Sequence, residues 1–312
     1  MNWLEITIET TPATIDNVAA RLTAGGFADL VIEDQNEFQD FLEENRSCWD
    51  YIDEQLQQQL EGLSRIKLYL EDTDNTAMEK LKALVEKLGL TMRVNSMAQT
   101  NWEESWKDNY PPQPVGESLL VLPYWLAEEE TDRRKIILDP GLTFGTGAHP
   151  STQMVMQTME ETELGGAACL DLGSGSGILS VTALRLGAKS AVGVDIDPKA
   201  EGIARENAAY NGFGAPEFTA LTGNVTADKA LMDKLAADRY DLVLVNIVAD
   251  VIIGLCPILP RFMDENTLLI CSGILDTRLG DVTAALEKAG LVITKTKAKE
   301  DWRCVSVRRR ML

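Results

Sequence analysis

Residues 169–177 read Cys-Leu-Asp-Leu-Gly-Ser-Gly-Ser-Gly, an apolar run entering a glycine loop ahead of a helix expected over Ile178 to Leu186. Glycines let a backbone approach a bound nucleoside closely and leave N–H groups exposed at the helix start. The loop is not a dinucleotide-binding G-x-G-x-x-G, because the sixth residue counted from Gly173 is Ile178 and from Gly175 is Ser180. A nucleoside also needs an acceptor for its ribose hydroxyls at the end of the next strand, about 20 residues on. Asp195, in Val192-Gly193-Val194-Asp195-Ile196-Asp197, lies 22 residues past Gly173, at that strand's expected carboxyl end. Charge-assisted bonds from such an acid are worth roughly 1.5–3 kcal/mol. Asp197 stands beside Pro198 and suits the N-cap of the following helix instead.

A second apolar run, Leu242 to Val245, ends at Asn246, on the edge where open α/β sheets bind ligands. An Asn carbonyl there can accept N–H bonds from an amine and orient its lone pair; capping the next helix is the structural alternative, and both can hold. The chain has one histidine, His149, the only side chain whose ordinary pKa lies near neutrality. It sits in Asp139-Pro140-Gly141-Leu142-Thr143-Phe144-Gly145-Thr146-Gly147-Ala148-His149-Pro150-Ser151-Thr152, ahead of a helix expected from about Ser151 to Glu161. Three glycines, small hydroxyl residues and an aromatic make a loop able to fold over a ligand. A lone loop histidine is equally suited to packing or capping, so no general base stands out.

The spacing G-x-G-x-G, preceded by Asp171 and followed by Asp195, resembles the first motif of class I S-adenosylmethionine-dependent methyltransferases. Together with the loop around His149, Asn246-Ile247 and Trp3, it is similar to the methyltransferase of large-subunit ribosomal protein eleven, the PrmA family. The segments Asn101–Gly116 and Asp301–Arg308 share the likeness, which is loosest over residues 30–65. The resemblance implies methyl transfer from S-adenosylmethionine to lysine ε-amines and to the N-terminal α-amine of a basic ribosomal protein. It implies cofactor contacts at Thr152, Gly173, Gly175, Asp195 and Asn246, with substrate recognition in the N-terminal domain. Asn224, in Thr222-Gly223-Asn224, falls where other methyltransferases contact adenine, although a turn role suits it at least as well. Relatives acting on amide or nucleobase nitrogens carry Asn-Pro-Pro-Tyr where this chain has Asn-Ile-Val-Ala, which disfavours those substrates. The alternative is an S-adenosylmethionine-dependent N-methyltransferase of another protein, an RNA or a small molecule.

Periodicity supplies the elements that must position these residues. The expected fold class is α/β: a class I methyltransferase Rossmann-like sheet behind a smaller ferredoxin-like α+β domain. Leu4, Ile6 and Ile8 alternate with polar residues, as in a half-buried strand. Thr11-Pro12 opens a helix carrying Ile15, Val18, Ala19 and Leu22 on one stripe. Strands over Phe27–Glu33, Ile66–Leu70 and Leu90–Ser96, with a helix over residues 74–88, complete a βαββαβ order. Trp102 and Trp106, at i and i+4, would present both indoles on one side of a short helix, suited first to packing the two domains together and secondarily to stacking a substrate, and Pro111, Pro112 and Pro114 are expected to break regular structure. Beyond them, strands at Ala168–Asp171, Ala191–Asp195, Leu242–Asn246 and Leu268–Ser272 alternate with helices, and Leu291–Lys295 and Cys304–Arg308 suit a closing antiparallel pair. The expected division is residues 1–98, a linker 99–115, and a catalytic domain 116–312.

Composition narrows the function classes. At 312 residues the chain has room for two domains, and 49 acids against 29 bases give a net charge of -20. Residues 1–100 hold 19 acids and 8 bases, and Asp29–Glu61 alone has 11 acids against Arg46. Such a surface repels nucleic-acid phosphates and attracts cationic partners. One histidine excludes His-rich metal sites, and five scattered cysteines without a C-x-x-C pair point to buried free thiols in a reducing compartment. The apolar stretch Leu242–Leu259 is interrupted by Asn246, Asp250 and Pro257, so no membrane span is expected. A cytoplasmic monomer with no metal and no direct nucleic-acid contact is the expectation.

Overall fold

The computed structural model describes residues 3–27, 29–34, 64–97, 107, 110–140 and 147–310. Trp102, Trp106, Cys48, most of the acidic stretch and the loop residues 141–146 lie outside the described residues. Contacts divide the chain into two units, Met1–Asn109 and Tyr110–Leu312.

In the first unit, strand β1 (Trp3–Glu9), helix α1 (Ile15–Ala24), strands β2 (Val31–Asp34) and β3 (Ser64–Glu71), helix α2 (Asn75–Lys87) and strand β4 (Met92–Met97) follow the expected order. The sheet runs β2-β3-β1-β4 with every pair antiparallel. Ile6, Ile8, Ile66 and Leu68 occupy one sheet face and meet Val18, Leu22, Leu81 and Val85 of the helices. Two local expectations shift. Thr11 does not cap α1: the Thr11 carbonyl accepts from Thr14 and Ile15 N–H at 2.9 and 3.0 Å, so a turn precedes the helix, and Thr14 holds the cap position. Phe27 is buried in the core without joining a strand, and β2 pairs with β3 only from Val31 on.

The second unit opens with a small sheet of β5 (Gln113–Val115), β6 (Leu119–Pro123) and β7 (Arg134–Leu138). Residues 113–115, expected in an irregular linker, are therefore a strand. Pro114 is accommodated because β5 is an edge, where a missing N–H breaks no ladder on its outer side.

Helix α3 (Pro150–Glu160) leads into an alternation of β8 (Ala168–Leu172), α4 (Ile178–Arg185), β9 (Ser190–Asp195), α5 (Pro198–Tyr210), β10 (Phe218–Thr222), α6 (Lys229–Leu235), β11 (Leu242–Asn246), α7 (Ala249–Leu255) and β12 (Leu268–Leu275). Helix α8 (Leu279–Lys288) and the hairpin β13 (Leu291–Lys299) and β14 (Trp302–Arg309) close the chain. The seven-stranded sheet has the order β10-β9-β8-β11-β12-β14-β13, parallel from β10 to β12. β14 inserts antiparallel between β12 and β13.

Both faces of this sheet are covered, which explains why its strands read as unbroken apolar runs. In β11, Leu242 and Leu244 join one core layer, and Val243 and Val245 join the other. All four are inaccessible to solvent, each stabilising the fold by about 1.5–3 kcal/mol. The strand order reverses between β8 and β11, and ligands of open α/β sheets bind outside the carboxyl ends at such a reversal.

Among the described residues, no helix is long and apolar enough to cross a membrane, and no group of His, Cys, Asp and Glu is arranged to hold a metal ion. Cys169, Cys256, Cys271 and Cys304 are free and buried, as expected, and burial pushes the thiols of Cys256 and Cys304 up to about 11.

Candidate functional site

The glycine loop leaves β8 at the strand-order reversal. Gly173, with φ 78°, is in the left-handed region, and a Cβ there would lie 2.6 Å from Ile247 Cγ2. The N–H groups of Gly173 and Ser174 donate to the Val194 carbonyl at 2.8 and 3.1 Å, so β9 holds the base of the loop. Asp195, at the end of β9, accepts from Gly175 N–H at 2.8 Å through Oδ2 and from Asp197 N–H at 2.9 Å through Oδ1. Gly173 and Gly175, expected at the cofactor site from their spacing and from the family resemblance, are thus both tied to the end of β9, Gly173 to the Val194 carbonyl and Gly175 to Asp195. Asp197 caps α5 by accepting from Lys199 N–H at 2.9 Å, the role its position beside Pro198 suggested.

Thr152 and Asn246, 94 residues apart, meet as well. Asn246 Nδ2 donates to Thr152 Oγ1 at 3.2 Å. Helix α7 has Val248 at its N-cap and no side-chain cap bond, so Asn246 is not spent on capping. Its Oδ1 is buried with no hydrogen-bond partner among the described residues. A buried orphan acceptor is costly unless a ligand donates to it. Asp171, on the neighbouring strand, presents a second one. Its Oδ2 accepts from Ser180 Oγ at 2.8 Å and Ser180 N–H at 3.2 Å, while Oδ1 has no partner among the described residues. Complete burial, opposed by the Ser180 bonds and reinforced by the Asp195 charge, raises this carboxyl to about 7.

His149 is the N-cap of α3. Its Nδ1 lies 2.7 Å from Ser151 Oγ and accepts from Ser151 N–H at 3.3 Å, and the ring packs edge-on against Trp302 with centroids 4.6 Å apart. Desolvation lowers its pKa, opposed by the charge of Glu300. The imidazole is occupied in capping and packing. Asn224 is committed to a turn: its Oδ1 accepts from Thr226 Oγ1 at 2.6 Å and Thr226 N–H at 3.0 Å.

The structure adds a support that spacing did not single out. Ser272 Oγ donates to the Ser151 carbonyl at 3.1 Å, and the Ser272 carbonyl accepts from Ile247 N–H at 3.2 Å. Gly273, with φ 81°, is required there, because a Cβ would lie 2.5 Å from the Ile247 carbonyl oxygen. These contacts brace α3 and the segment after β11 against β12. The available signal was a glycine inside the apolar run of Leu268 to Leu275.

Residues 2–310 match the family model described as ribosomal protein L11 methyltransferase (PrmA). The chain is 34% identical over 322 residues to the ribosomal protein L11 methyltransferase of Heliobacterium modesticaldum, covering 99% of this chain and 98% of the relative. It is 34% identical over 314 residues to that of Alkaliphilus metalliredigens, covering 97% and 96%. A crystal structure of ribosomal protein L11 methylase from Lactobacillus delbrueckii subsp. bulgaricus matches with a TM-score of 0.57 and 30% identity, over 65% of this chain and all of that one. The class I methyltransferase fold expected from the glycine loop is thereby established. The chain belongs to the ribosomal protein L11 methyltransferase family.

Proposed function

We propose that this protein transfers methyl groups from S-adenosylmethionine to lysine ε-amines and the N-terminal α-amine of ribosomal protein L11. Within the family, the observation that carries the reading is the unpaired Asn246 carbonyl at the strand-order reversal, beside the loop unit of Gly173, Gly175 and Asp195. The residues suit the cofactor. Asp171 Oδ1 and Asn246 Oδ1 are buried acceptors without donors among the described residues, a match for a cationic amino-acid moiety and an incoming amine, and Gly173, where a Cβ would meet Ile247 Cγ2, lets the loop lie close against the segment after β11. When bound, S-adenosylmethionine supplies an activated methyl on a sulfonium. Asp195, which accepts from Gly175 N–H, would hold the ribose hydroxyls. Thr152 fixes the Asn246 amide, so its carbonyl receives the amine's N–H and aims the nitrogen lone pair.

His149 is too occupied to serve as base, and the rate comes from holding an already neutral amine in line with the methyl. The N-terminal domain, with its 19 acids against 8 bases, recognises and steers a basic ribosomal protein. The protein acts in the cytoplasm, as a monomer, without direct contact to nucleic acid. Peptide mapping of L11 after incubation with enzyme and cofactor is expected to place added methyls on lysine nitrogens and the N-terminal nitrogen; methyls confined to other side chains would overturn the amine assignment.

A further inference from the structure

Helix α5 carries a buried stripe of small residues, Ala200, Ala204 and Ala208. Two asparagines one turn apart, Asn207 within the helix and Asn211 at its C-cap, share its buried side. Asn207 is wholly inaccessible to solvent and Asn211 nearly so. Neither is a helix-favouring choice, and each must offset its burial with hydrogen bonds. Asn211 does so against β7, the edge of the small sheet. Its Oδ1 accepts from Ile137 N–H at 2.9 Å, and its Nδ2 donates to the Ile137 carbonyl at 2.7 Å. One side-chain amide thus stands where β7 has no neighbouring strand among the described residues.

Asn207 reaches two different segments. Its Nδ2 donates to the Ser176 carbonyl of the glycine loop at 2.8 Å, and its Oδ1 accepts from Asp139 N–H at 2.8 Å, just past β7. A single amide thereby ties the glycine loop to the backbone that leads toward His149. We propose that Asn207 is a positioning residue for methyl transfer, fixing the glycine loop and the Asp139 backbone in register with each other. The inference rests on the cofactor reading above and adds a residue that touches neither cofactor nor substrate. Its two bonds are satisfied within the protein, so its effect is transmitted through the loop.

Asn207→Asp keeps the acceptor for Asp139 N–H but sets an oxygen against the Ser176 carbonyl. Asn211→Asp perturbs the same helix at similar depth without touching the glycine loop. Calorimetric titration of both full-length variants with S-adenosylmethionine is expected to show about tenfold weaker binding for Asn207→Asp. The KM for cofactor should rise correspondingly while that for the protein substrate stays unchanged. Asn211→Asp should lower the thermal midpoint at least as much and bind cofactor within about twofold of the parent. Asn207→Ser, neutral and smaller, serves the same comparison if the Asp variant does not fold. Parent-like affinity in the Asn207 variants would overturn the proposal, as would losses of affinity that track the thermal midpoint at both positions. A parent protein that binds no S-adenosylmethionine would instead overturn the cofactor reading.

Discussion

Asn246→Ala is expected to lower methyl transfer by about a hundredfold, the scale associated with losing aim at a reacting atom. The substitution removes the buried, unpartnered acceptor at the end of β11 and the donor to Thr152 Oγ1. Little stability should be lost, because Oδ1 has no partner among the described residues and Nδ2 donates to a neutral hydroxyl. Thr152→Val separates the two contributions. It leaves the Asn246 carbonyl in place but frees the amide to rotate, and the loss of one neutral hydrogen bond predicts a decrease of only about fivefold. Single-turnover rates at saturating cofactor check both. A fully active Asn246→Ala enzyme would show that the amine is oriented elsewhere.

Asp171→Asn should remove a pH dependence of stability. Asp171 titrates near 7 in the folded protein because burial disfavours its anion, against 3.8 as an ordinary carboxyl. Between these values the folded protein holds a proton that the unfolded chain has released. Stability from this group is therefore complete below about pH 4 and is lost as pH rises through 7. About three pH units at about 1.4 kcal/mol each bound the loss near 4 kcal/mol. The amide introduced by the substitution never ionises, and its carbonyl can take over the Ser180 bonds. Its NH2 group would meet no acceptor, which costs part of the gain. Urea unfolding of the ligand-free protein should then find the variant more stable by about 2 kcal/mol at pH 8, with the advantage vanishing toward pH 4. Parallel pH profiles for the two proteins would contradict the assignment. A carboxyl that destabilises the free fold at neutral pH, with one oxygen unpaired, is consistent with service to a cationic ligand.

Much of this site is legible in the sequence because its chemistry is local. The glycine spacing, the acid 22 residues on and the Asn at the end of an apolar run all mark strand ends, and strand ends converge at the order reversal. Asp197 as a cap and the closing antiparallel pair follow from local rules in the same way. What stays hidden depends on packing between distant segments. The orphan state of Asn246 Oδ1 requires knowing that Val248, and not Asn246, occupies the cap position. The bracing by Ser272 links residues 121 apart. Asn207 and Asn211 read as ordinary helix residues until β7 is seen to lack a neighbour on one side. Strand β5 escapes a reading in which proline counts as a breaker, a rule that relaxes at a sheet edge.

The central claim is that a cofactor-derived methyl is delivered to the amines of a ribosomal protein. Methyl-labelled S-adenosylmethionine incubated with the enzyme, unmethylated large-subunit proteins, ribosomal RNA and a metabolite extract tests it in one experiment. Label is expected in L11 and in no RNA fraction; label entering only RNA or only small molecules would contradict the account.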